Sequence, residues 1–136
     1  MSAAMHDMAW VAGEALVGVR FRLQGRDAAT GLDCVGVIVA AYAAVGVRLD
    51  AVDDYALRGF AVERAEAGLA AAGLVPVGGG VEPGDIGLFA LPARQVHLAL
   101  LAPGWLIHAD AALRRVAAAP ASRLPDPVSR WRGPII

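Results

Sequence analysis

The feature that most constrains the fold is an uncharged apolar run from Cys34 to Val47, within the segment "GLDCVGVIVAAYAAVGV". Its first half is rich in β-branched residues, which favour a strand, and its second half is rich in alanine, which favours a helix. The run is long for a strand, Asp33 can cap a helix, and Gly46 can end one. We therefore predict a helix, and because it is apolar on every side it must be buried centrally.

Composition narrows the classes of protein to which the chain can belong. Its 136 residues fit one domain spanning 1–136, and the formal net charge of -1 argues against nucleic acid or anionic lipid as a partner. Cys34 has no other cysteine with which to form a disulfide. The apolar run is shorter than the roughly 18 residues of a membrane-spanning helix, so we predict no membrane insertion. The N-terminus has no basic leader, and Asp7 and Glu14 interrupt its apolar residues, so no signal peptide is predicted.

The remaining segments predict helices first and strands second. Residues 3–17 have helical spacing, "VRFRLQ" at 19–24 alternates as an extended segment, and 50–73 is helical in two pieces broken near Gly59. "PVGGG" at 76–80 is interpreted as a linker. Four strands are predicted near 86–91, 96–101, 105–109 and 113–117, separated by turn residues. Residues 120–136 contain four prolines, so we predict an irregular tail with one edge strand around Trp131.

These elements predict an α+β fold. N-terminal helices, including the central buried helix, pack on a C-terminal antiparallel sheet of about four to five strands. Cys34 would then stand at a helix N-terminus, where the dipole and free N–H groups favour the thiolate and lower the thiol pKa.

Two histidines lie on consecutive predicted strands joined by a turn at Pro103-Gly104. With a two-residue loop, His97 and His108 are diagonal neighbours on one face of the sheet. One imidazole could take the Cys34 proton while the other orients it. Each residue also fits a structural role, as a packed cysteine or a hydrogen-bonded histidine. A zinc site formed by these three residues and Asp110 lacks a close ligand pair.

The order of several motifs resembles that of the NlpC-type cell-wall cysteine peptidases, which are related to papain. The matching segments are "RFRLQG" at 20–25, "DCVG" at 33–36, "PGDIGLF" at 83–89, "HLAL" at 97–100 and "IHA" at 107–109. The resemblance implies a papain-like fold in which Cys34 is the nucleophile, His97 the general base and His108 the orienting third member. No metal or organic cofactor is implied.

The resemblance also indicates residues that bind substrate. In relatives the aspartate before the cysteine helps to bind a free amine of the substrate, which makes Asp33 a candidate. Phe21 stands where relatives usually have tyrosine, so a phenolic hydrogen bond is absent there. Gln24 could supply an oxyanion donor instead.

The implied activity is hydrolysis of the D-γ-glutamyl to diamino acid bond in peptidoglycan stem peptides. The "FRLQGRD" loop and the helical stretch at 50–73 are most similar to compact members of phage tails and gene transfer agents, whose proteins become candidate partners. A second hypothesis, motivated by Phe21, is a structural tail component of weak or lost activity. Without a predicted leader, two routes to the wall are open: release from the cytoplasm by lysis, or carriage in a virion-like particle.

Overall fold

The computed structural model describes residues 3–49, 62–92 and 95–133. Within these ranges the α-helices are α1 (Ala3–Glu14), α2 (Cys34–Ala43) and α3 (Val62–Ala71). The strands are β1 (Arg26–Asp27), β2 (Gly31–Leu32), β3 (Val75–Val77), β4 (Asp85–Leu91), β5 (Gln95–Ala102), β6 (Trp105–Asp110), β7 (Arg115–Pro120) and β8 (Ser129–Arg132). A short 3-10 helix, Ala121–Arg123, follows β7.

Helix α2 is the predicted central helix. It begins at Cys34 because Asp33 is extended and its carboxylate accepts a hydrogen bond from the Gly36 N–H at 2.8 Å. It ends at Ala43, earlier than predicted, because Gly46 adopts a φ of +86° and the Val47 N–H returns to the carbonyl of Tyr42. Most of its side chains are fully buried, and it packs against α1, β5 and β6.

Strands β3 to β8 form one antiparallel sheet in the order β3-β8-β4-β5-β6-β7. The four predicted strands correspond to β4, β5, β6 and β7. The sheet has six strands rather than about four or five, because β3 and β8 extend it beyond β4. Leu88, Leu98 and Ile107 belong to the core that the sheet shares with α2. The predicted α+β architecture, with a buried helix on an antiparallel sheet, is confirmed.

The chain after β7 differs from the predicted irregular tail. A strand does surround Trp131, but it lies between β3 and β4 and not at an edge. The cause is Asp85, whose side chain is 0% exposed and forms ion pairs with Arg130 at 3.3 Å and Arg132 at 2.7 Å. Trp131, between the two arginines, is buried in the core. The two ion pairs of Asp85 and the buried indole ring of Trp131 together hold β8 against β4.

The N-terminal segments position the start of α2. Helix α1 ends three residues before the predicted boundary of 17. In the segment predicted to be extended, Arg20 bridges Arg115 of β7 and Phe21 bridges Leu32 of β2. Residues 20–21 therefore join the edge of the sheet to the short β1–β2 hairpin. Asp33 and Cys34 follow that hairpin directly.

Two further predictions have partial outcomes. The helical interpretation of 50–73 is confirmed for α3, whereas residues 50–61, with the expected break near Gly59, lie outside the described residues. The predicted linker at 76–80 starts inside β3. Among the described helices, none has the length and apolar character needed to cross a membrane.

Candidate functional site

Cys34 occupies the first position of α2 and is half-buried. Desolvation raises the pKa of its thiol to about 11, with the nearby Asp33 carboxylate adding to the rise. Backbone hydrogen bonds from Leu98 and Val35 and the charge of Arg26 act in the opposite direction but do not compensate. The prediction that the helix N-terminus lowers the thiol pKa is therefore wrong, because desolvation raises this pKa by more than the helix N-terminus lowers it.

The two histidines meet as the sequence predicts. Pairing of Leu100 with Ile107 and of Ala102 with Trp105 gives the predicted two-residue turn, and both histidines lie just beyond the paired residues. His97 Nε2 lies 2.9 Å from His108 Nδ1, and the rings are edge-on with centroids 5.1 Å apart. Burial, with the neighbouring His108, lowers the pKa of His97 to about 4, and burial also lowers the pKa of His108. Both rings are accordingly neutral at pH 7.

The Cys34 thiol lies beside the strand that carries the His97 ring. His97 pairs with Phe89 of β4, and the next residue, Leu98, belongs to the core around α2. The β5–β6 pairing ends at Leu100, although both strands continue beyond it. The Leu98 backbone that hydrogen-bonds the Cys34 sulfur lies just past that point. Among the described residues, the rings hydrogen-bond each other and the thiol bonds neither.

Asp33 has a structural role, of which the sequence predicts only the helix cap. It is 8% exposed, and besides capping Gly36 its carboxylate accepts hydrogen bonds from the Gln24 N–H at 3.0 Å and from Arg26 Nη1 at 2.6 Å. Gly36 has no room for a Cβ because the carbonyl of Gly25 lies against it. The candidate amine-binding carboxylate thus also ties the loop at 22–26 to the start of α2.

Gln24 and Phe21, the other two candidate binding residues, contact the site in different ways. Gln24 is exposed, has a φ of +60° and reaches Asp33 through its backbone N–H. The structure gives its side chain no hydrogen bond to the residues of the site within the described ranges. Phe21 is half-buried and packs against the core around α2, and its N–H donates to the carbonyl of Arg114 at 2.9 Å. Phe21 therefore supports the loop beside the site.

Two residues at the site were not singled out for these roles from the sequence. Arg26 pairs with Asp33, and the only sequence signal was one opposite charge in a short polar loop. Asp110 places Oδ2 3.9 Å from His108 Nε2. Its position two residues after His108 on a strand was the available signal, because such residues share a face. In the part of the chain that the structure describes, no three metal-ligating side chains are arranged to hold an ion.

Several solved structures share this fold. NlpC1 from Trichomonas vaginalis is 22% identical with a TM-score of 0.65, over 94% of this chain and 43% of that protein. The NlpC/p60 domain of the peptidoglycan hydrolase SagA is 20% identical with a TM-score of 0.65, over 96% of this chain and 97% of the domain. The peptidoglycan hydrolase RipB from Mycobacterium tuberculosis is 19% identical with a TM-score of 0.60, over 98% of this chain and 66% of that protein.

The likeness is one of structure rather than of sequence. No protein-family model matches the chain, and no curated protein sequence matches it significantly. The chain spans less than half the length of the Trichomonas protein but nearly all of the SagA domain. These three structures are not named as phage-tail proteins, so that subtype stays a prediction. The chain has the papain-like fold of the NlpC/P60 domains.

Proposed function

We propose that the chain is a cysteine peptidase that hydrolyses amide bonds in peptidoglycan stem peptides through Cys34, His97 and His108. The observation that supports this most is the 2.9 Å contact between the two imidazoles, beside a backbone that holds the thiol. Two neutral histidines in a half-buried site are a costly arrangement for packing alone, since each ring must be desolvated. They suit a base and its orienting partner.

The contact between the two imidazoles supports a role for each ring nitrogen of His97. His97 Nε2 is occupied by His108 Nδ1, so His97 Nδ1 is the nitrogen left to take the thiol proton. Because the pKa of Cys34 is about 11 and that of His97 about 4, thiol and imidazole are both neutral before substrate binds. The proton therefore moves to His97 as the sulfur attacks the carbonyl. Catalytic hydrogen bonds that are long in a free enzyme commonly tighten when substrate binds.

The start of α2 supplies stabilisation for the oxyanion. The first backbone N–H groups of a helix have no partner within it, and those at the start of α2 are the candidate donors to the oxyanion. Gln24 is the candidate side-chain donor. His97 then passes its proton to the leaving amine, and water hydrolyses the acyl-enzyme.

The expected substrate is an acidic peptide, and the D-γ-glutamyl to diamino acid bond is the expected point of cleavage. SagA and RipB are both named peptidoglycan hydrolases, which supports peptidoglycan as the substrate class. Arg115 pairs with Asp110 and bridges Arg20, so these arginines share the face of His108. Like charges placed opposite each other destabilise a sheet, and an acidic ligand would offset that repulsion. Asp33 remains the candidate for the free amine.

Purified sacculi test the proposal directly. The wild-type protein should release soluble peptides, Cys34→Ala should release none, and mass spectrometry should find new diamino acid amines and D-glutamyl carboxylates. Asp126→Asn, a change at an exposed residue outside the site, is the matched control and should act as the wild type. Equal release by the wild type and Cys34→Ala would end the peptidase assignment.

A second function, a structural component with the same fold and little activity, is favoured by two observations. The thiol pKa is raised rather than lowered, and Phe21 removes a hydroxyl from the site. In this case the wild type and Cys34→Ala would both be folded and equally inert on sacculi. Co-purification with tail proteins of a phage or gene transfer agent would then identify the partners.

A further inference from the structure

We propose that Asp110 is a positioning residue that selects the histidine tautomers needed for catalysis. The inference rests on the proposed function, in which His97 Nδ1 is the base. Asp110 ends β6, two residues beyond His108, and shares its face of the sheet. Its Oδ2 lies 3.9 Å from His108 Nε2, and the side chains of His108 and Asp110 are 9% and 23% exposed. Among the described residues this carboxylate is the acidic partner of the histidine pair.

The two oxygens of Asp110 have different partners. Oδ1 accepts hydrogen bonds from the N–H groups of Ala112 and Leu113, at 2.9 and 3.0 Å, and so stabilises the turn between β6 and β7. The turn fixes the carboxylate without using Oδ2. The second oxygen is thus held towards the imidazole, at a distance too long for a direct hydrogen bond but short for an electrostatic interaction in a half-buried site.

The charge on Oδ2 determines which nitrogen of His108 carries hydrogen. A negative oxygen favours hydrogen on the facing Nε2, which leaves Nδ1 of His108 as an acceptor. His97 must then donate from Nε2 across the 2.9 Å contact, and its Nδ1 keeps a lone pair. The opposite tautomer of His108 would place hydrogen on His97 Nδ1, where it could not accept a thiol proton. One carboxylate therefore sets the protonation of both rings.

Charged groups around the pair define the expected pH response. The Asp110 carboxylate raises the pKa of both His97 and His108, against the larger lowering by burial. Arg123, from the 3-10 helix, lowers the pKa of His108, and Arg115 faces Asp110 from β7. Neutralising Asp110 should therefore move the acidic limb of the pH–rate profile to lower pH.

The variants Asp110→Asn and Asp110→Ala separate positioning from folding. Asparagine keeps an oxygen for the Ala112 and Leu113 amides but turns its NH₂ group towards His108, which favours the wrong tautomer. Asp110→Asn should therefore melt close to the wild type yet lose at least about tenfold in kcat, with little change in KM. Asp110→Ala should lose stability as well, because the turn amides lose their acceptor. Asp110→Glu, which restores a carboxylate, should recover part of kcat.

Nitrogen-15 NMR of the imidazoles gives a readout that does not need activity. The wild type should carry hydrogen on Nε2 of both His97 and His108, and in Asp110→Asn both should move it to Nδ1. Asp126→Asn should change neither the spectrum nor the rate. Wild-type Nδ1–H tautomers, or an unchanged spectrum in Asp110→Asn, would overturn the role of Asp110. Correct tautomers in a wild type that is inert on sacculi would overturn only the peptidase assignment.

Discussion

Replacement of Asp33 offers the sharpest test of how the site is built. Its carboxylate accepts hydrogen bonds from Gly36, Gln24 and Arg26, at 2.8, 3.0 and 2.6 Å. Alanine removes all three bonds. Asparagine keeps Oδ1 for the Gly36 N–H and for Arg26, but it removes the charge and places an NH₂ group opposite the Gln24 N–H, which loses its acceptor. The pair of variants therefore separates the helix cap from the charge and the Gln24 bond.

The expected losses follow from these contacts. The cap contributes about 1 kcal/mol, and the charge-assisted bond from the Gln24 N–H about 1–2 kcal/mol. The Arg26 pair adds at most about 1 kcal/mol, because the arginine side chain is 33% exposed and partly screened. Asp33→Ala should thus lose about 3 kcal/mol of unfolding free energy, and Tm should fall by about 10 °C. Asp33→Asn should lose about 2 kcal/mol, because asparagine caps as well as aspartate but loses the Gln24 bond and the charge.

Urea unfolding followed by tryptophan fluorescence measures both losses. The negative charge of Asp33 raises the pKa of Cys34, so Asp33→Asn should also speed alkylation of the thiol at a given pH. If Asp33 also binds the substrate amine, Asp33→Asn should raise KM at a temperature where the variant is fully folded. Equal destabilisation by alanine and asparagine, or none with alanine, would refute the reasoning that the helix cap stabilises the fold.

Three further predictions concern ionisation and the sheet. Burial raises the pKa of Cys34 to about 11, so iodoacetamide should label the free protein at pH 8 more slowly than a small thiol with a pKa near 8.5; equal or faster labelling would contradict the raised pKa. Because the pKa of His97 falls from 6.5 unfolded to about 4 folded, stability should be full above pH 6.5 and decline towards pH 4, by roughly 3 kcal/mol. In His97→Asn this part of the loss of stability at acid pH should disappear. If urea titrations give the same pH dependence of the unfolding free energy as in the wild type, other groups cause the loss. Asp85→Ala leaves Arg130 and Arg132 without their buried partner, so it should cost about 3–5 kcal/mol in thermal unfolding, against under about 0.5 kcal/mol for Asp126→Ala.

Local sequence signals predicted the parts of the fold that depend on near neighbours. Asp33 marked the start of α2 because a cap acts within three residues. The contact of His97 with His108 followed from the two-residue Pro103-Gly104 turn, since the period of a strand is two and a tight turn fixes the register. The candidate site could be predicted to that extent.

The remaining features depend on distant parts of the chain. β8 follows several prolines and its place between β3 and β4 depends on the buried charge of Asp85, more than 40 positions earlier in the sequence. The raised pKa of Cys34 reflects how deeply the packed sheet desolvates the thiol, which no local motif reports. The contact of Asp110 with His108 could not be predicted from the sequence, because it depends on the path of the β6–β7 turn that holds the carboxylate.

The position of β8 has a consequence for the order of folding. β3 and β4 have no direct pairing in the described sheet, because β8 separates them and bonds to both. A chain emerging from the ribosome can close the hairpins from β4 to β7 early, since they are local, but must wait for Trp131 to appear before β3 can attach. Until then the edge of β4 that pairs with β8, and the carboxylate of Asp85, stay open to water, and a nascent chain is vulnerable to proteases there.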